Sequence, residues 1–536
     1  MPLNRNQKLQ RTALTTYPIL GPSLRGLNTE LPHGQGYSQP EWAVVMENLV
    51  FNNNGRPEVR KGYVNQTQTT PTTGSLLHLH EFLQDSGVTS LFAVSDDFTI
   101  LSSRDSGVTW IDVSGDLATT LHTQELQFAT LNGQLFLGAF GHHIHVFDET
   151  TESFVEVSES PVCRGSLIAT FGRLWMSVDG NSIIAYSGLL TGTDWTSAAA
   201  GAIDASNAWT QDFDNVEALA SFGATLVVFG TDHILLYVDG AGSELGVDPD
   251  NLYVVDTIEG TGCRDRDSII TIGEGDLWFL GPQGIQSLQR VIQDRVNPLA
   301  DLSRHQRELV LELRLNNDAF PGSVRAMYSP EERFVLFLFP QSRMVLGYDT
   351  RFAIDEGLYR AYTWKTQVPY TGGLVRRNGD VLFGLPSGGI GLYDQYRDDA
   401  GGPDESPIEV TYGVPPLDLD VANHNLLKII KSFYLDLAGS GTLSGTAYWS
   451  YDFMPANFKQ EFTSFEVPAT SNFNLSQYNL DSFRTGDSHR TVRIAGLGQG
   501  KTFQFMIQFT NTDDNQPFSI VEVGVNAKLG RRVESS

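Results

Sequence analysis

The chain has 536 residues, 40% of them hydrophobic, 18% charged and 52 of them glycine, which is too long for one ordinary core and too apolar for a disordered or fibrous class. Asp and Glu number 63 against 36 Lys and Arg, and the resulting −27 makes a surface that repels nucleic acid unless basic groups cluster. No apolar run approaches a membrane span, the N-terminus has no apolar stretch of the signal-peptide kind, and two cysteines are too few for a disulfide framework.

Residues 1–57 read as an extended N-terminal arm. As far as residue 61 the chain has seven Lys and Arg, four Asp and Glu, and prolines at Pro2, Pro18, Pro22, Pro32 and Pro40. Such a stretch is either a disordered tail or a strap that docks on a neighbouring subunit. Trp42–Phe51 (WAVVMENLVF) is too apolar to be left in water, so the second half of the arm is expected to pack. Residues 62–160 invert the charge, with thirteen acidic residues and one arginine.

Residues 58–400 carry a repeat. Val216–Val238 runs as three short apolar strands broken at Gly223 and at Thr231–Asp232, an antiparallel meander. Cys163–Asp179 (CRGSLIATFGRLWMSVD) and Cys263–Leu280 (CRDRDSIITIGEGDLWFL) share Cys-Arg, a strand, a Gly turn and Leu-Trp in a second strand. Weaker copies lie at Leu126–Asp148, Val324–Asp349 and Leu374–Asp394. Six units between Leu76 and Thr366, and a shorter seventh at Pro369–Gln395, predict an all-β protein with a β-propeller of about seven blades, six being the alternative count. Two stacked β-sandwiches are the competing architecture. A strand near Glu58–Val64 is expected to complete the last blade, since an open ring would leave two unpaired edges. Cys163 and Cys263 fall at matching places two blades apart, too far to bridge, and are expected to be free thiols.

Several motifs were weighed for chemistry. Ser103–Trp110 (SRDSGVTW) matches the Asp-box of sialidases and other propellers, where it staples a turn on the rim. Gly141–His145 (GHHIH) places His143 and His145 on one face of a strand with no Cys or further His close by, although Asp148 and Glu149 follow; a solvated strand entry is favoured over a metal site. Asp418, Asp420 and Asn423 resemble a loose calcium loop but lack its glycine and closing glutamate. No nucleophile elbow, phosphate loop or dinucleotide fingerprint occurs in its required context. No catalytic, cofactor-binding or metal-binding residues are therefore assigned.

Pro298–Leu315 predicts a helical insertion near 298–315, with Ser303 as N-cap, Gln306 at the capping-box position, and Leu302, Leu309, Val310 and Leu313 on its apolar face. RDDAGGPDESP after Tyr396 reads as a linker. Residues 401–536 then form a second all-β module, β-sandwich-like, with strands at Lys428–Leu437, Ser444–Tyr451, Thr491–Ala495, Thr502–Thr510 and Phe518–Val525.

Three stretches carry a family resemblance: NLVFNNNGRPEVRKGYV (residues 48–64); GRLWMSVDGNSIIAYSGLLTGTDWTS with VEALASFGATLVVFGTDHILLYVDG (172–197 and 216–240); and RMVLGYDTR with YRAYTWKT (343–351 and 359–366). Together they resemble the tail nozzle, tail hub or packaged-DNA stabilisation proteins of short-tailed phages (podoviruses). The resemblance implies a virion structural protein, not an enzyme. It implies a homo-oligomeric ring, a hexamer, contacting a head–tail adaptor and tail fibres or tailspikes, with double-stranded DNA passing through the lumen unbound during ejection. It implies no cofactor. An acidic wall suits that role, because every phosphate contact by Lys or Arg would grip the DNA. A glycan-binding or glycan-cleaving, sialidase-like propeller is the alternative, and a monomeric propeller that binds peptides on its face is the third reading.

Overall fold

A computed structural model of the chain describes residues 14–20, 24–31, 41–84, 87–117, 125–180, 182–209, 214–239, 249–273, 275–294, 301–317, 324–354, 357–418, 426–439, 441–452, 458–467, 489–511 and 517–532. The chain divides into two compact units. One holds residues 63–353 and 365–393; the other gathers residues 1–62, 354–364 and 394–536.

The first unit is a β-propeller. Its first four blades are four-stranded antiparallel sheets, each made from consecutive strands. They start at Leu76–Leu83, Leu126–Leu131, Cys163–Thr170 and Ala218–Phe222, and end at Ile111–Asp112, Ser153–Glu156, Gly201–Asp204 and Leu252–Glu259. The fifth blade has three strands (Ile270–Ile272, Asp276–Gly281, Gly284–Ser287), followed directly by the helix Leu288–Asp294. That helix buries Leu288 and Val291 in the core between blades four and five. Arg325–Ser329, Phe334–Phe339 and Met344–Ala353 make the sixth blade. Six blades are thus built from contiguous chain, and a seventh sheet closes the circle: Gly372–Val375, Val381–Gly384 and Ile390–Tyr393 are joined by Tyr63–Asn65.

The repeat seen in the sequence has a packing cause. Gly172 and Gly223 take φ of +71° and +59° at the tight turn between the first two strands, a region costly for other residues. The strand after the turn is largely buried in each blade. Trp175 and Trp278, at equivalent places, are 0% and 1% exposed. Side chains from neighbouring blades meet in shared cores: Phe92 and Leu126 between blades one and two, Cys163 and Phe136 between two and three, Trp175 and Val228 between three and four. Leu76 and Trp110 of blade one pack with Leu382 and Ile390 of blade seven, so the ring is closed by apolar contact as well as by hydrogen bonds. Both cysteines are buried and unbridged, and burial pushes the Cys163 thiol up to about 11.

The closing strand corrects one expectation. Glu58–Val64 does not act as a single strand. Pro57–Val59 pairs with Leu49–Phe51 in the other unit, and only Tyr63–Asn65 pairs with the last blade, Tyr63 opposite Tyr393. The break falls at Arg60–Gly62. Arg60 is buried in an ion pair with Asp398, and Gly62 passes so close to Arg397 that a Cβ would lie 2.0 Å from its carbonyl oxygen.

The second unit is a β-sandwich. One sheet runs His489–Gly500, Leu426–Gly439, Phe518–Arg532, Pro57–Val59, Leu49–Phe51, with Thr15–Leu20 also on Phe518–Arg532. The other includes Val45–Glu47, Glu409–Gly413, Phe503–Asn511, Gly441–Tyr451 and Phe458–Val467 in that order. Phe433 of the first sheet stacks on Phe505 of the second at 5.3 Å, and Phe518 meets Phe509 at 5.1 Å. Four of the five strands expected in the C-terminal module lie inside longer strands, and the fifth, Thr502–Thr510, is shifted by one residue to Phe503–Asn511; Glu409–Gly413 and Phe458–Val467 are additional strands.

The expected packing of Trp42–Phe51 holds: Trp42, Met46, Leu49 and Phe51 are buried, and the described parts of the 1–57 arm belong to this unit; residues 1–13, 21–23 and 32–40 lie outside the described residues. One further expectation changes. The stretch 397–407 is not a free linker. Arg397–Asp398 pairs with Ser406–Pro407, and Arg397 forms an ion pair with Glu405. The composition is that of a linker, but the buried Arg60 demands the carboxylate of Asp398.

The helical insertion is also displaced. The helix is Arg307–Asn317, with Val310 and Leu313 buried and Leu302 buried ahead of it. Ser303 does not cap it. Its hydroxyl donates to Asp301 Oδ1 (2.7 Å) and accepts from the Ile285 N–H (3.0 Å), tying the segment to blade five. Residues 298–300 lie outside the described residues.

Candidate functional site

The inner strands of the propeller converge on a cavity of about 220 Å³. Leu76–Leu83 of blade one and Leu126–Leu131 of blade two form part of its wall. Arg266 and Asp267, just before blade five, face it with Arg325 of blade six and Gly373 of blade seven. Five blades contribute, from both halves of the chain's path round the ring.

Four of these side chains form one ion cluster. Asp267 accepts from Arg266 at 3.0 and 3.3 Å, His78 Nδ1 lies 3.5 Å from it, and Arg325 Nε 3.7 Å. Arg325 NH2 meets His78 Nε2 at 3.1 Å and NH1 donates to the Thr371 carbonyl at 2.8 Å. Since a guanidinium only donates, His78 accepts at Nε2 and carries its proton on Nδ1, toward Asp267. Arg266 also donates to the Gly165 carbonyl, which brings blade three into the cluster. Burial alone would raise the Asp267 carboxyl, but Arg266, His78 and Arg325 outweigh it and hold the group below the usual carboxylate range. Burial, with the Arg266 charge, lowers Arg325.

His80, two residues on, stacks on Phe128 with ring centroids 5.4 Å apart, and burial depresses its pKa to about 4. Its imidazole is therefore neutral near pH 7. Arg164 and Glu217 pair at 2.7 Å across blades three and four; burial still leaves Glu217 above the usual range. Among the described residues, the cavity wall offers guanidinium, imidazole, carboxylate and apolar side chains.

The motifs singled out in the sequence sit elsewhere. The Asp-box is the turn between Ile100–Ser103 and Ile111–Asp112. Asp105 accepts from the Thr109 N–H (2.9 Å), the Thr109 hydroxyl (2.6 Å) and the Ser103 hydroxyl (2.8 Å), while the Ser103 oxygen accepts from the Gly107 N–H (2.9 Å). Bonds from Thr109 hold the Asp105 carboxyl low. Trp110 is buried beneath the turn, and its Nε1 reaches Thr67 Oγ1 at 3.3 Å. Thr67 also accepts from the Ile390 N–H, so the motif staples the seam where the ring closes.

His143 and His145 are engaged with backbone: His143 Nδ1 with the Ser160 carbonyl, His145 Nδ1 with the His143 carbonyl at 2.9 Å. Among the described residues no group of three or more His, Cys, Asp or Glu is arranged to hold a metal. Asp418 pairs with Lys428, while Asp420 and Asn423 lie outside the described residues.

Sequence reasoning missed the axial cluster, although a signal was present. Where the first Cys-Arg copy reads CRGS, the second reads CRDRDS, and the added residues include Arg266 and Asp267. No family model matches the chain, and no curated protein matches it. Among solved structures it is similar to the WD40 β-propeller domain of Doa1, at 10% identity and a TM-score of 0.37, covering 62% of this chain and 97% of that one. It is also similar to YCF48 bound to D1 peptide, at 12% identity and a TM-score of 0.37, covering 65% and 97%. The likeness is one of fold alone.

Proposed function

We propose that the protein is a structural subunit of a virion, of the tail nozzle kind found in short-tailed phages, and that a ring of copies ends the DNA conduit. The observation that carries this reading is the element RPEVRKGY at residues 56–63. It lies at the entry to the blades, where Arg60, Gly62 and Tyr63 each have a structural job. Arg60 is locked on Asp398 by two bonds of 2.7 and 2.8 Å and on Asn48 by a third of 2.9 Å; Gly62 permits the close crossing; Tyr63 opens the closing strand.

Charge supports the same reading. A wall drawn from a −27 subunit gives phosphates nothing to bind, so packaged DNA can be retained by closure and released without drag. The propeller's own axis is occupied by Arg266, Arg325 and Asp267, so the conduit of this proposal runs between subunits. Adaptor and fibre or tailspike contacts would fall on the ring's two ends. A glycan-cleaving propeller would need a Tyr–Glu pair and an acid Asp beside its arginines. Among the described residues, the axial cavity wall offers two arginines and Asp267 but neither Tyr nor Glu.

The test is mass in solution followed by electron microscopy of the purified chain, alone and with the adaptor protein. Closed rings around an open lumen are expected. A protein that stays monomeric in both preparations, and is missing from purified particles, overturns the proposal.

A further inference from the structure

The axial cavity runs against the electrostatics of the rest of the molecule. The chain carries −27, yet the cavity wall sets two guanidiniums against one carboxylate. These groups are held before any ligand arrives. Arg266 is fixed by Asp267 and the Gly165 carbonyl, Arg325 by His78 and the Thr371 carbonyl. A wall fixed in this way loses little conformational freedom on binding.

A purely structural ion cluster is best packed dry. This one borders about 220 Å³ of space, the volume of roughly seven waters. Leu79 and Phe128 supply apolar surface to the same space, and His80 lies flat on Phe128. Guanidinium is the side chain best matched to a carboxylate, by charge and by its planar fork. A wall that joins this fork to apolar side chains in so small a volume selects for size and for two-sided character.

We propose that the axial cavity binds a small organic carboxylate, its charged end on Arg266 and Arg325 and its hydrocarbon part on Leu79 and Phe128. The site draws on five blades, so an occupant would tie inner strands together across the ring. Neither the oligomeric state nor the assembly role of the chain enters this inference.

The experiment uses the full chain at low chloride, with calorimetric titration and melting curves. The probes are benzoate, the neutral isostere benzamide, and inorganic phosphate. Benzoate should bind saturably and raise the melting temperature; benzamide should do neither, and phosphate should bind more weakly because it leaves the apolar wall uncovered. Arg325→Lys keeps the charge but loses the fork, and should weaken benzoate about tenfold. Leu79→Trp fills the space while leaving the ion cluster in place, and should abolish binding with little change in the unliganded melting temperature. If Arg325→Lys does not fold, Leu79→Trp decides. The proposal is overturned if no probe binds at millimolar concentration, if benzamide or phosphate matches benzoate, or if Leu79→Trp binds benzoate as the wild type does.

Discussion

The propeller and the sandwich each bury arginine against aspartate, and they use the pair differently. In the sandwich, Arg60 and Asp398 are 1% and 7% exposed at the side chain, joined by two short bonds, with the Trp364 ring 5.6 Å from the guanidinium. That pair is sealed. At the propeller axis, Arg266, Asp267 and Arg325 share looser contacts of 3.0 to 3.7 Å and border open space. The same chemistry acts as a latch where it is enclosed and as a wall where room is left beside it. A buried ion pair gains from attraction only what it loses in hydration. Its value at residues 60 and 398 lies in fixing where the chain crosses.

The sharpest way to break this comparison is to remove one partner of the latch. Asp398→Ala leaves Arg60 charged, buried and unpaired, and should cost about 3–5 kcal/mol, read as a lowered calorimetric transition. A smaller loss would mean that Asn48 and water carry more of the latch than its geometry suggests. Next in size is ring closure. Val64→Pro takes a donor and a free φ from the strand that pairs with Ile390–Tyr393, and should cost about 3 kcal/mol and expose an edge that promotes aggregation. Unchanged solubility and melting would show that the ring holds without that strand.

The axis can be probed through His80. Its folded pKa, about 4, lies below the unfolded value near 6.5. The unfolded chain therefore binds the extra proton first as pH falls through that window, and stability should drop from pH 6.5 to 4 by at most about 3 kcal/mol. His80→Gln should flatten that part of the profile, and an unaltered slope would place the titration elsewhere. The smallest effect is expected at the Asp-box. Asp105 has a lowered pKa, so its contribution is present above its unfolded pKa and fades as pH falls through the folded one. The carboxylate is exposed and screened, so Asp105→Asn should cost no more than about 1 kcal/mol, measured as a difference in urea midpoints at neutral pH that vanishes in acid.

The propeller was legible because each blade spells the same local physics. A Gly turn and a largely buried second strand recur, and Leu174–Trp175 and Leu277–Trp278 mark it in the sequence. The Asp-box turn was legible because the bonds that Asp105 and the Ser103 oxygen accept all lie within eight residues. What could not be read locally depends on residues far apart. Asp398 sits in a polar, glycine-rich stretch whose composition says linker, and only Arg60, on the far side of the propeller in sequence, makes it structural. Ser303 fits a capping pattern, but Asp301 and the Ile285 N–H take its hydroxyl first. The axial cluster joins residue 78 to residues 267 and 325, and no window on the sequence contains all three.

The closing strand also sets an order of events during synthesis. Tyr63–Asn65 leaves the ribosome before any blade exists, and its partner Ile390–Tyr393 is among the last propeller segments made. At about 5–20 residues per second, the strand waits for tens of seconds with its edge unpaired. Over the same interval Pro57–Val59 waits for Phe518–Arg532, made later still. The blades can form as they emerge, but neither closure can be completed until nearly the whole chain is free. A nascent chain of this kind is exposed to mispairing for most of its synthesis, and truncated products should be chaperone clients rather than soluble propellers.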